Sequence, residues 1–449
     1  MSSAKKIGLF ACTGVVAGNM MGSGIALLPA NLASIGGIAI WGWIISIIGA
    51  MSLAYVYARL ATKNPQQGGP IAYSGEISPA FGFQTGVLYY HANWIGNLAI
   101  GITAVSYLST FFPVLNDPVP AGIACIAIAC IAIVWVFTFV NMLGGTWVSR
   151  LTTIGLVLVL IPVVMTAIVG WHWFDAATYA ANWNTADTTD GHAIIKSILL
   201  CLWAFVGVES AAVSTGMVKN PKRTVPLATM LGTGLAGIVY IAATQVLSGM
   251  YPSSVMAASG APFAISASTI LGNWAAPLVS AFTAFACLTS LGSWMMLVGQ
   301  AGVRAANDGN FPKVYGEVDS NGIPKKGLLL AAVKMTALMI LITLMNSAGG
   351  KASDLFGELT GIAVLLTMLP YFYSCVDLIR FEGVNIRNFV SLICSVLGCV
   401  FCFIALMGAS SFELAGTFIV SLIILMFYAR KMHERQSHSM DNHTASNAH

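Results

Sequence analysis

Glu209 is the residue whose chemistry most needs an explanation, because it lies deep inside a long apolar stretch. None of the other fifteen acids lies as far from a loop, a tail or the end of a predicted membrane span. An unpaired carboxylate at the middle of a bilayer is costly, so such a group is neutralised, paired or functional. Glu209 is therefore a candidate proton carrier or cation ligand. The alternative is a structural role, in which it accepts hydrogen bonds from freed backbone groups.

A second unusual stretch is GNMMGSGI, residues 18–25, which places Gly22, Ser23 and Gly24 inside another apolar segment. Each glycine weakens a helix by about 1 kcal/mol relative to alanine and allows close approach of another backbone. If the helix unwinds here, free N–H groups and the Ser23 hydroxyl can bind a carboxylate. Tight packing of small residues against a neighbouring helix is the alternative.

A polar stripe runs along the segment LYYHANWIGNLA, because Tyr89, Asn93 and Asn97 recur at every fourth position. At this spacing the three side chains share one face of a helix. Amide groups in a membrane core need partners, so they either bridge to other helices or contact a polar ligand.

Aromatic residues are the last candidates for ligand contact. Their rings can hold an ammonium group by a cation–π contact and can cover a methylene chain, although each ring could equally serve packing or anchor the interface. Together with a carboxylate site and a buried acid, they favour a ligand with both charges and an alkyl stem. A basic amino acid fits this description, and a diamine shares its stem and cation. The rings considered are Trp203, Trp294, Tyr371 and Tyr373.

The elements that must position these residues are membrane-spanning helices. Of the 449 residues, 57% are hydrophobic and only 8% are charged, and the mean hydropathy is +0.82. A soluble domain would carry about 25% charged residues. We therefore predict an all-α membrane protein with twelve transmembrane helices. The predicted spans are 8–33, 38–61, 83–112, 120–140, 147–171, 193–216, 225–249, 276–303, 327–346, 355–378, 388–408 and 412–430.

The distribution of basic residues predicts the orientation of these spans. With the amino terminus inside, all but three of the twenty Lys and Arg residues fall in cytoplasmic segments. Lys196 and Lys351 are external, and Lys334 lies within a span. This bias follows the positive-inside rule, so both termini are expected in the cytoplasm. The first apolar segment lacks a cleavage site for removal as a signal peptide.

The sixth predicted span carries its own interruption in the run CLWAFVGVES, where Gly207 is close to Glu209. Spans 1 and 6 are five spans apart and cross in opposite directions. Interrupted helices at matching positions of two halves are typical of transporters built from inverted repeats. We predict a first five-helix repeat over 1–172, a second over 190–380, peripheral helices over 386–431 and a disordered tail over 432–449.

Other classes of function lack support in the sequence. The run GTGLAG at 232–237 matches a dinucleotide-binding pattern but lies in a predicted span with no preceding strand. The nine cysteines have neither zinc-site nor disulfide-framework spacing. We find no group of nucleophile, base and orienting residue for an enzyme, and only short cytoplasmic loops for a receptor. The expectation is therefore no enzyme activity, no cofactor, no metal and no nucleic-acid partner.

Four motifs in this order resemble the amino acid–polyamine–organocation transporter superfamily, and within it the bacterial basic amino acid/polyamine antiporters. The resemblance covers nearly the whole chain. It implies ten core helices in two inverted repeats, with helices 1 and 6 interrupted, and two peripheral helices that often support a homodimer. The motifs are GNMMGSGI, QGGPIAYSGE, LWAFVGVES and RAANDGNFP.

The resemblance also implies roles for individual residues. Ser23 and Gly24 would bind the substrate carboxylate, and exposed backbone near Val206 would accept from its α-amino group. Trp294 would stack on the substrate stem and cation, while Trp203 would close the cavity from one side.

Three further residues are implied in gating and proton sensing, namely Tyr89 and Tyr371 as gates and Glu209 as the proton-sensitive switch. The end of the site that receives the distal charge would comprise Ala92, Asn93 and Asn97. The remaining predicted site residues are Asn19, Gly22 and Ala363.

The distal pocket differs from that of the arginine–agmatine relatives, which carry cysteine at the position of Asn93 and serine at that of Ala363. A guanidinium offers a planar fork of donors, whereas an ammonium is a compact point charge. Losing a hydroxyl and gaining an amide favours an ammonium, although an ornithine–putrescine exchanger needs the same pocket.

The resemblance therefore implies exchange of external lysine for internal cadaverine across a bacterial inner membrane. Coupling to a cytosolic lysine decarboxylase, which consumes a proton, would support acid resistance. The expected partners are the two substrates, membrane lipid and a second copy of the chain. The alternative is a proton-coupled permease for a basic amino acid or a polyamine such as ornithine or putrescine.

Overall fold

The computed structural model describes residues 8–21, 24–63, 69–143, 146–209, 219–346 and 349–446, and regular structure in these ranges is entirely helical. The first nine helices are α1 (Leu9–Met21), α2 (Leu28–Ala33), α3 (Ala39–Lys63), α4 (Pro70–Ile77), α5 (Pro79–Leu108), α6 (Pro120–Leu143), α7 (Thr146–Val169), α8 (Ala176–Ala181) and α9 (Asp190–Trp203). The following eight are α10 (Pro221–Met250), α11 (Ser253–Ala257), α12 (Pro262–Leu271), α13 (Ala275–Asn307), α14 (Lys325–Met345), α15 (Ala352–Glu382), α16 (Phe389–Met407) and α17 (Ser411–Ser446).

Within the described ranges, nine helical segments are long and apolar enough to cross a bilayer. The chain is thus an all-α membrane protein, as its composition predicts. The three other predicted spans correspond to α1 with α2, to α5 and to α9. Helix α5 has sufficient length, but its polar stripe lowers its hydropathy. Helices α1, α2 and α9 are short because the chain leaves helical geometry beside them.

The first departure from helical geometry lies between α1 and α2, where residues 24–27 form a turn. A Cβ atom added to Gly24 would lie 2.6 Å from the Met20 carbonyl oxygen and 3.5 Å from the Ala204 Cα. Gly24 therefore brings this turn against the backbone that follows α9. Gly22 and Ser23 lie outside the described residues.

The second departure follows α9, where residues 204–209 form consecutive turns. Gly207 has a φ of +103°, in the region that favours glycine because a side chain would be strained there. Glu209 is the last residue described before the gap at 210–218. The two turns meet through the contact between Gly24 and Ala204, so both lie at the same depth in the bundle.

A buried tyrosine on α5 satisfies one backbone carbonyl that the first turn leaves free. The Tyr107 hydroxyl donates to the Ala26 carbonyl oxygen at 2.7 Å and accepts from the Phe263 amide at 3.4 Å. Water is absent from the bilayer core, so a backbone group without such a partner would cost several kcal/mol. Tyr107 thus stabilises the interruption and ties it to the first turn of α12.

The bundle packs around α5, which lies against both α13 and α15. Helix α3 packs against α10, and an ion pair between Arg59 and Glu382 at 2.7 Å joins the ends of α3 and α15. Helix α17 lies at the periphery, where Phe418 is 65% exposed and Phe427 is 61% exposed. Exposed side chains of this kind suit contact with lipid tails.

Helix α17 continues to Ser446, which differs from the disorder predicted over 432–449. A polar tail cannot form a hydrophobic core of its own, but its backbone can still form the hydrogen bonds of a helix. No glycine or proline occurs over residues 417–446, so nothing in the sequence breaks the helix that begins in the membrane.

We predict that Gly24→Ala lowers the stability of the protein. The new methyl group would clash with the Met20 carbonyl oxygen, which is part of the backbone and not the end of a flexible side chain. A cost of about 1–3 kcal/mol is expected for such overpacking. The measurement is the thermal unfolding midpoint of the purified protein in detergent. Gly14→Ala on α1 is the matched control, since a Cβ there meets no atom within 4 Å. Equal midpoints for the two variants would contradict the prediction.

Candidate functional site

A cavity lies where the two interrupted segments meet α5 and α13. Its empty volume is about 400 Å³, counting the space at its open mouth. Seven residues predicted from the sequence line it together, although they come from four separate stretches of the chain. The lining residues are Met20, Gly24, Ala92, Asn93, Gly96, Asn97, Ile100, Trp203, Val206 and Trp294.

The face of α5 that lines the cavity extends the predicted polar stripe. Gly96 and Ile100 lie on the same side of the helix as Asn93 and Asn97, since they are three or four residues away from them. A Cβ on Gly96 would lie 3.0 Å from the Trp203 ring, so glycine makes room for the indole. Sequence analysis missed Gly96, although its spacing from Asn93 was a usable signal.

Ala363 does not line this cavity but lies behind two residues that do, Gly96 and Trp203. Its Cβ is 4.0 Å from the position that a Cβ on Gly96 would occupy, beside the Trp203 ring. The Trp203 ring also packs edge-on against Phe356, which comes from the same helix as Ala363, with centroids 6.3 Å apart. Trp203 is thereby held between α5 and α15, next to Ala363.

Asn97 brings an unsatisfied acceptor to the cavity. Its side chain is 1% exposed, and its amide nitrogen contacts the Met295 sulfur at 3.7 Å. Its carbonyl oxygen has no hydrogen-bond partner among the described residues, and neither does the indole nitrogen of Trp203. A buried polar atom without a partner pays its full desolvation cost, which a ligand of the right chemistry would offset. The Asn97 oxygen suits an ammonium group.

Glu209 lies beside this cavity and is held by two tyrosines. The Tyr89 hydroxyl donates to Oε1 at 2.8 Å, and the Tyr371 hydroxyl donates to Oε2 at 2.9 Å. Glu209 is 1% exposed and forms no ion pair within the part of the chain that the structure describes. The carboxylate therefore joins the turn after α9 to both α5 and α15 through hydrogen bonds alone.

The Tyr371 side of this cluster is rigidly packed. Its ring lies edge-on to the Tyr57 ring, with centroids 5.9 Å apart, and the Tyr57 hydroxyl donates to the Ser374 hydroxyl at 3.2 Å. Tyr89 is one turn before Asn93 on α5, so the Glu209 cluster adjoins the wall of the cavity. The three predicted residues of this cluster, Tyr89, Glu209 and Tyr371, therefore lie next to the cavity without lining it.

The remaining predicted residues have other outcomes. Tyr373 does not line the cavity, because its ring stacks on Phe81 at 4.4 Å and its hydroxyl donates to Gln84. The α5–α15 packing on that face explains its position. Asn19 belongs to α1, but its side chain lies outside the described part, as do Gly22 and Ser23. Met20 lines the cavity but was not predicted to do so, because an apolar residue in an apolar segment gives no local signal.

The chemistry of the site suits reversible binding of an elongated, cationic molecule. Two indole rings and the Asn97 amide line the cavity, and the Asn97 oxygen has no hydrogen-bond partner among the described residues. The Glu209 carboxylate lies outside this lining, next to the stretch of α5 that forms one wall. No cluster of three or more potential metal ligands occurs within the described ranges. Rings of this kind can cover an alkyl stem and attract an ammonium group.

Comparison with known proteins identifies the relatives of this chain. The family model for amino acid permeases matches residues 7–429. The chain is 99% identical to the cadaverine/lysine antiporter of Escherichia coli K12 over 449 residues, covering all of both proteins. It is 32% identical to the putrescine transporter PotE of the same strain, over 90% of this chain and 92% of that protein. The PotE of Haemophilus influenzae is also 32% identical, over 83% and 84%. The chain therefore belongs to the amino acid permease family.

Proposed function

We propose that this chain exchanges external lysine for internal cadaverine across a bacterial inner membrane. The observation that carries the proposal is the near-complete identity, along the full length, to an antiporter of cadaverine and lysine. The family is one of transporters, so the activity is movement of substrate and no chemical step is required. A cavity with a free acceptor for an ammonium group supports the same substrates.

In the proposed complex, the lysine carboxylate binds at the first interruption, near Ser23 and Gly24, with Asn19 and Gly22 nearby. Its α-amino group donates to the backbone around Val206. The alkyl stem passes between Trp203 and Trp294, and the distal ammonium reaches Asn97. The other residues of the distal end are Ala92, Asn93 and Ala363. The unpaired Asn97 oxygen supports this direction of binding.

Cadaverine has no carboxylate, so it binds through its two ammonium groups. We assign one of them to Glu209 and the aromatic rings, and the other to the Asn97 oxygen. Lysine enters with a net charge of +1 and cadaverine leaves with +2, so each exchange moves one positive charge outward. A cytosolic lysine decarboxylase that consumes a proton would make each complete cycle remove acid from the cell.

We propose that Glu209 couples occupancy to conformation. Both of its oxygens accept a tyrosine hydroxyl, from Tyr89 on α5 and from Tyr371 on α15. Protonation turns one oxygen into a donor, and a bound ammonium competes for the same oxygens. Either event breaks a hydrogen bond that holds two helices together, which shifts the population between inward-open and outward-open states. Tyr89 and Tyr371 thus serve as gates through Glu209.

The proposed architecture has twelve spans, with inverted repeats over 1–172 and 190–380. The two interruptions, which meet at Gly24 and Ala204, support it. Helices α16 and α17 form the peripheral pair over 386–431, where a second copy would dock. The distribution of Lys and Arg supports a cytoplasmic location for both termini.

We predict that labelled lysine enters proteoliposomes only when they contain a counter-substrate, with internal cadaverine much more effective than agmatine. An exchanger with an empty site does not convert between its outward-open and inward-open states, so uptake needs a counter-substrate. A site selective for ammonium groups binds cadaverine better than agmatine, which carries a guanidinium. The measurement compares vesicles loaded with cadaverine, putrescine, agmatine, lysine or buffer. Equal uptake into empty vesicles driven by a proton gradient would instead identify a permease.

We predict that Glu209→Gln makes the exchange rate independent of pH. Glutamine has a similar shape, so the packing around it is retained, but its side chain does not titrate. The measurement is lysine-for-cadaverine exchange between pH 5 and 8, for which we expect a sloping profile in the parent and a flat one in the variant. Glu358→Gln is the control, because Glu358 accepts from Asn346 at 3.2 Å and not from the two tyrosines that hold Glu209. An unchanged profile for Glu209→Gln would refute the assigned role.

We predict that Asn93→Cys combined with Ala363→Ser raises uptake of arginine relative to lysine. The serine hydroxyl adds an acceptor for the guanidinium, and one hydrogen bond to a charged group is worth roughly tenfold. The measurement is competition between the two labelled amino acids in proteoliposomes. Ala332→Ser, at a buried position on α14 outside the cavity lining, is the control. An unchanged ratio would exclude these positions as determinants of selectivity.

A further inference from the structure

A second, larger cavity lies at the end of the bundle where α2 ends and α9 begins. Its empty volume is about 1200 Å³ including the open side, and its walls come from the start of α9 and the turn between α16 and α17. The two walls meet at Gly408. A Cβ there would lie 2.7 Å from the Ile195 carbonyl oxygen, so glycine allows this close approach of the two backbones. This cavity shares no lining residue with the substrate cavity.

The cavity carries charges of both signs. Lys196 on α9 lines it and forms no ion pair within the described ranges, and His192 lies one turn earlier on the same helix. Glu413 lines it from the first turn of α17. One Glu413 oxygen accepts from the Ser410 amide at 2.7 Å, and the Glu413 amide donates to the Ser410 hydroxyl at 3.2 Å. A ligand that complements the cavity therefore needs an anionic and a cationic group.

The remaining lining mixes serines with apolar side chains, and its apolar part reaches the lipid-facing side of the protein. Leu199 and Met407 line the cavity, and Met407 is 55% exposed. Helices α16 and α17, which meet at this end, also expose Phe403 and Phe418 by 64% and 65%. A molecule in the cavity thus has its polar part near Lys196 and Glu413 and an apolar path along the outside of the bundle.

We propose that this cavity binds a zwitterionic phospholipid with a primary ammonium headgroup, as in phosphatidylethanolamine. The phosphate contacts Lys196, with His192 beside it, and the ammonium donates to Glu413. The acyl chains begin along Leu199 and Met407. A free phosphate or a purely anionic lipid has no cationic group to pair with Glu413, and its negative charge would repel the Glu413 carboxylate.

The test is native mass spectrometry of the purified full chain with a defined series of lipids, and it does not depend on transport. The series runs from phosphatidylethanolamine through its N-methyl and N,N-dimethyl forms to phosphatidylcholine, which removes the N–H donors stepwise at constant charge. We expect binding to weaken along the series, by about fivefold at its end, as for loss of one hydrogen bond. Phosphatidylglycerol should bind more weakly than phosphatidylethanolamine.

Two variants assign the charges. Glu413→Gln should remove the preference for phosphatidylethanolamine over phosphatidylcholine while retaining the helix cap, because glutamine also accepts from the Ser410 amide. Lys196→Gln should weaken both lipids alike, and Lys351→Gln, at a basic position outside the cavity, should change neither. Thermal unfolding midpoints verify that each variant is folded.

Three results would overturn the proposal. The first is equal binding of all members of the series by the parent protein, and the second is stronger binding of phosphatidylglycerol. The third is a change in the ratio of monomer to dimer in Lys196→Gln or Glu413→Gln without a change in bound lipid. That result would make the cavity a contact between two copies of the chain.

Discussion

The structure depends on one constraint, which is that a polar group inside the bilayer must find its partner within the protein. Three tyrosines, of which Tyr107 and Tyr371 are buried and Tyr89 is half-buried, meet it where the helices are interrupted. Tyr107 donates to the Ala26 carbonyl oxygen, while Tyr89 and Tyr371 donate to the two oxygens of Glu209. Two of the three come from α5. Helix α5 therefore provides hydrogen bonds to both interrupted segments and also supplies one wall of the candidate cavity.

Close approach of backbones is the complementary requirement, and glycine provides it where a side chain would block the site. Gly24 lets the first turn touch Ala204, and Gly96 gives space to the Trp203 ring. A side chain at position 24 would push the two turns apart. A side chain at position 96 would displace the Trp203 ring from the cavity wall. The same residues that weaken the local helix therefore allow the tertiary contacts that stabilise the interruption.

The sequence predicted the parts of the site that have a local signal. A charged residue in an apolar run marked Glu209, glycines marked Gly24, and fourfold spacing marked the stripe through Asn93 and Asn97. It did not reveal the bond from Tyr107 to Ala26, which joins positions 81 residues apart and leaves no trace in local spacing. The orientation of Tyr373 was equally hidden, because only the packing of two whole helices decides which ring reaches the cavity.

In the proposed cycle, the same carboxylate serves as a latch and as a cation ligand, and this double use explains why its partners are neutral. An arginine or lysine paired with Glu209 would attract the carboxylate strongly enough to exclude a substrate cation from it. Two tyrosine hydroxyls satisfy both oxygens, yet each contributes only a modest net free energy that an ammonium can replace. Tyr89 belongs to α5 and Tyr371 to α15, so the loss of either hydrogen bond to Glu209 frees one of these helices from the turn after α9. A site that must release its ligand on every cycle gains from such partners, because the hydrogen bonds that cadaverine displaces from Glu209 re-form when it leaves.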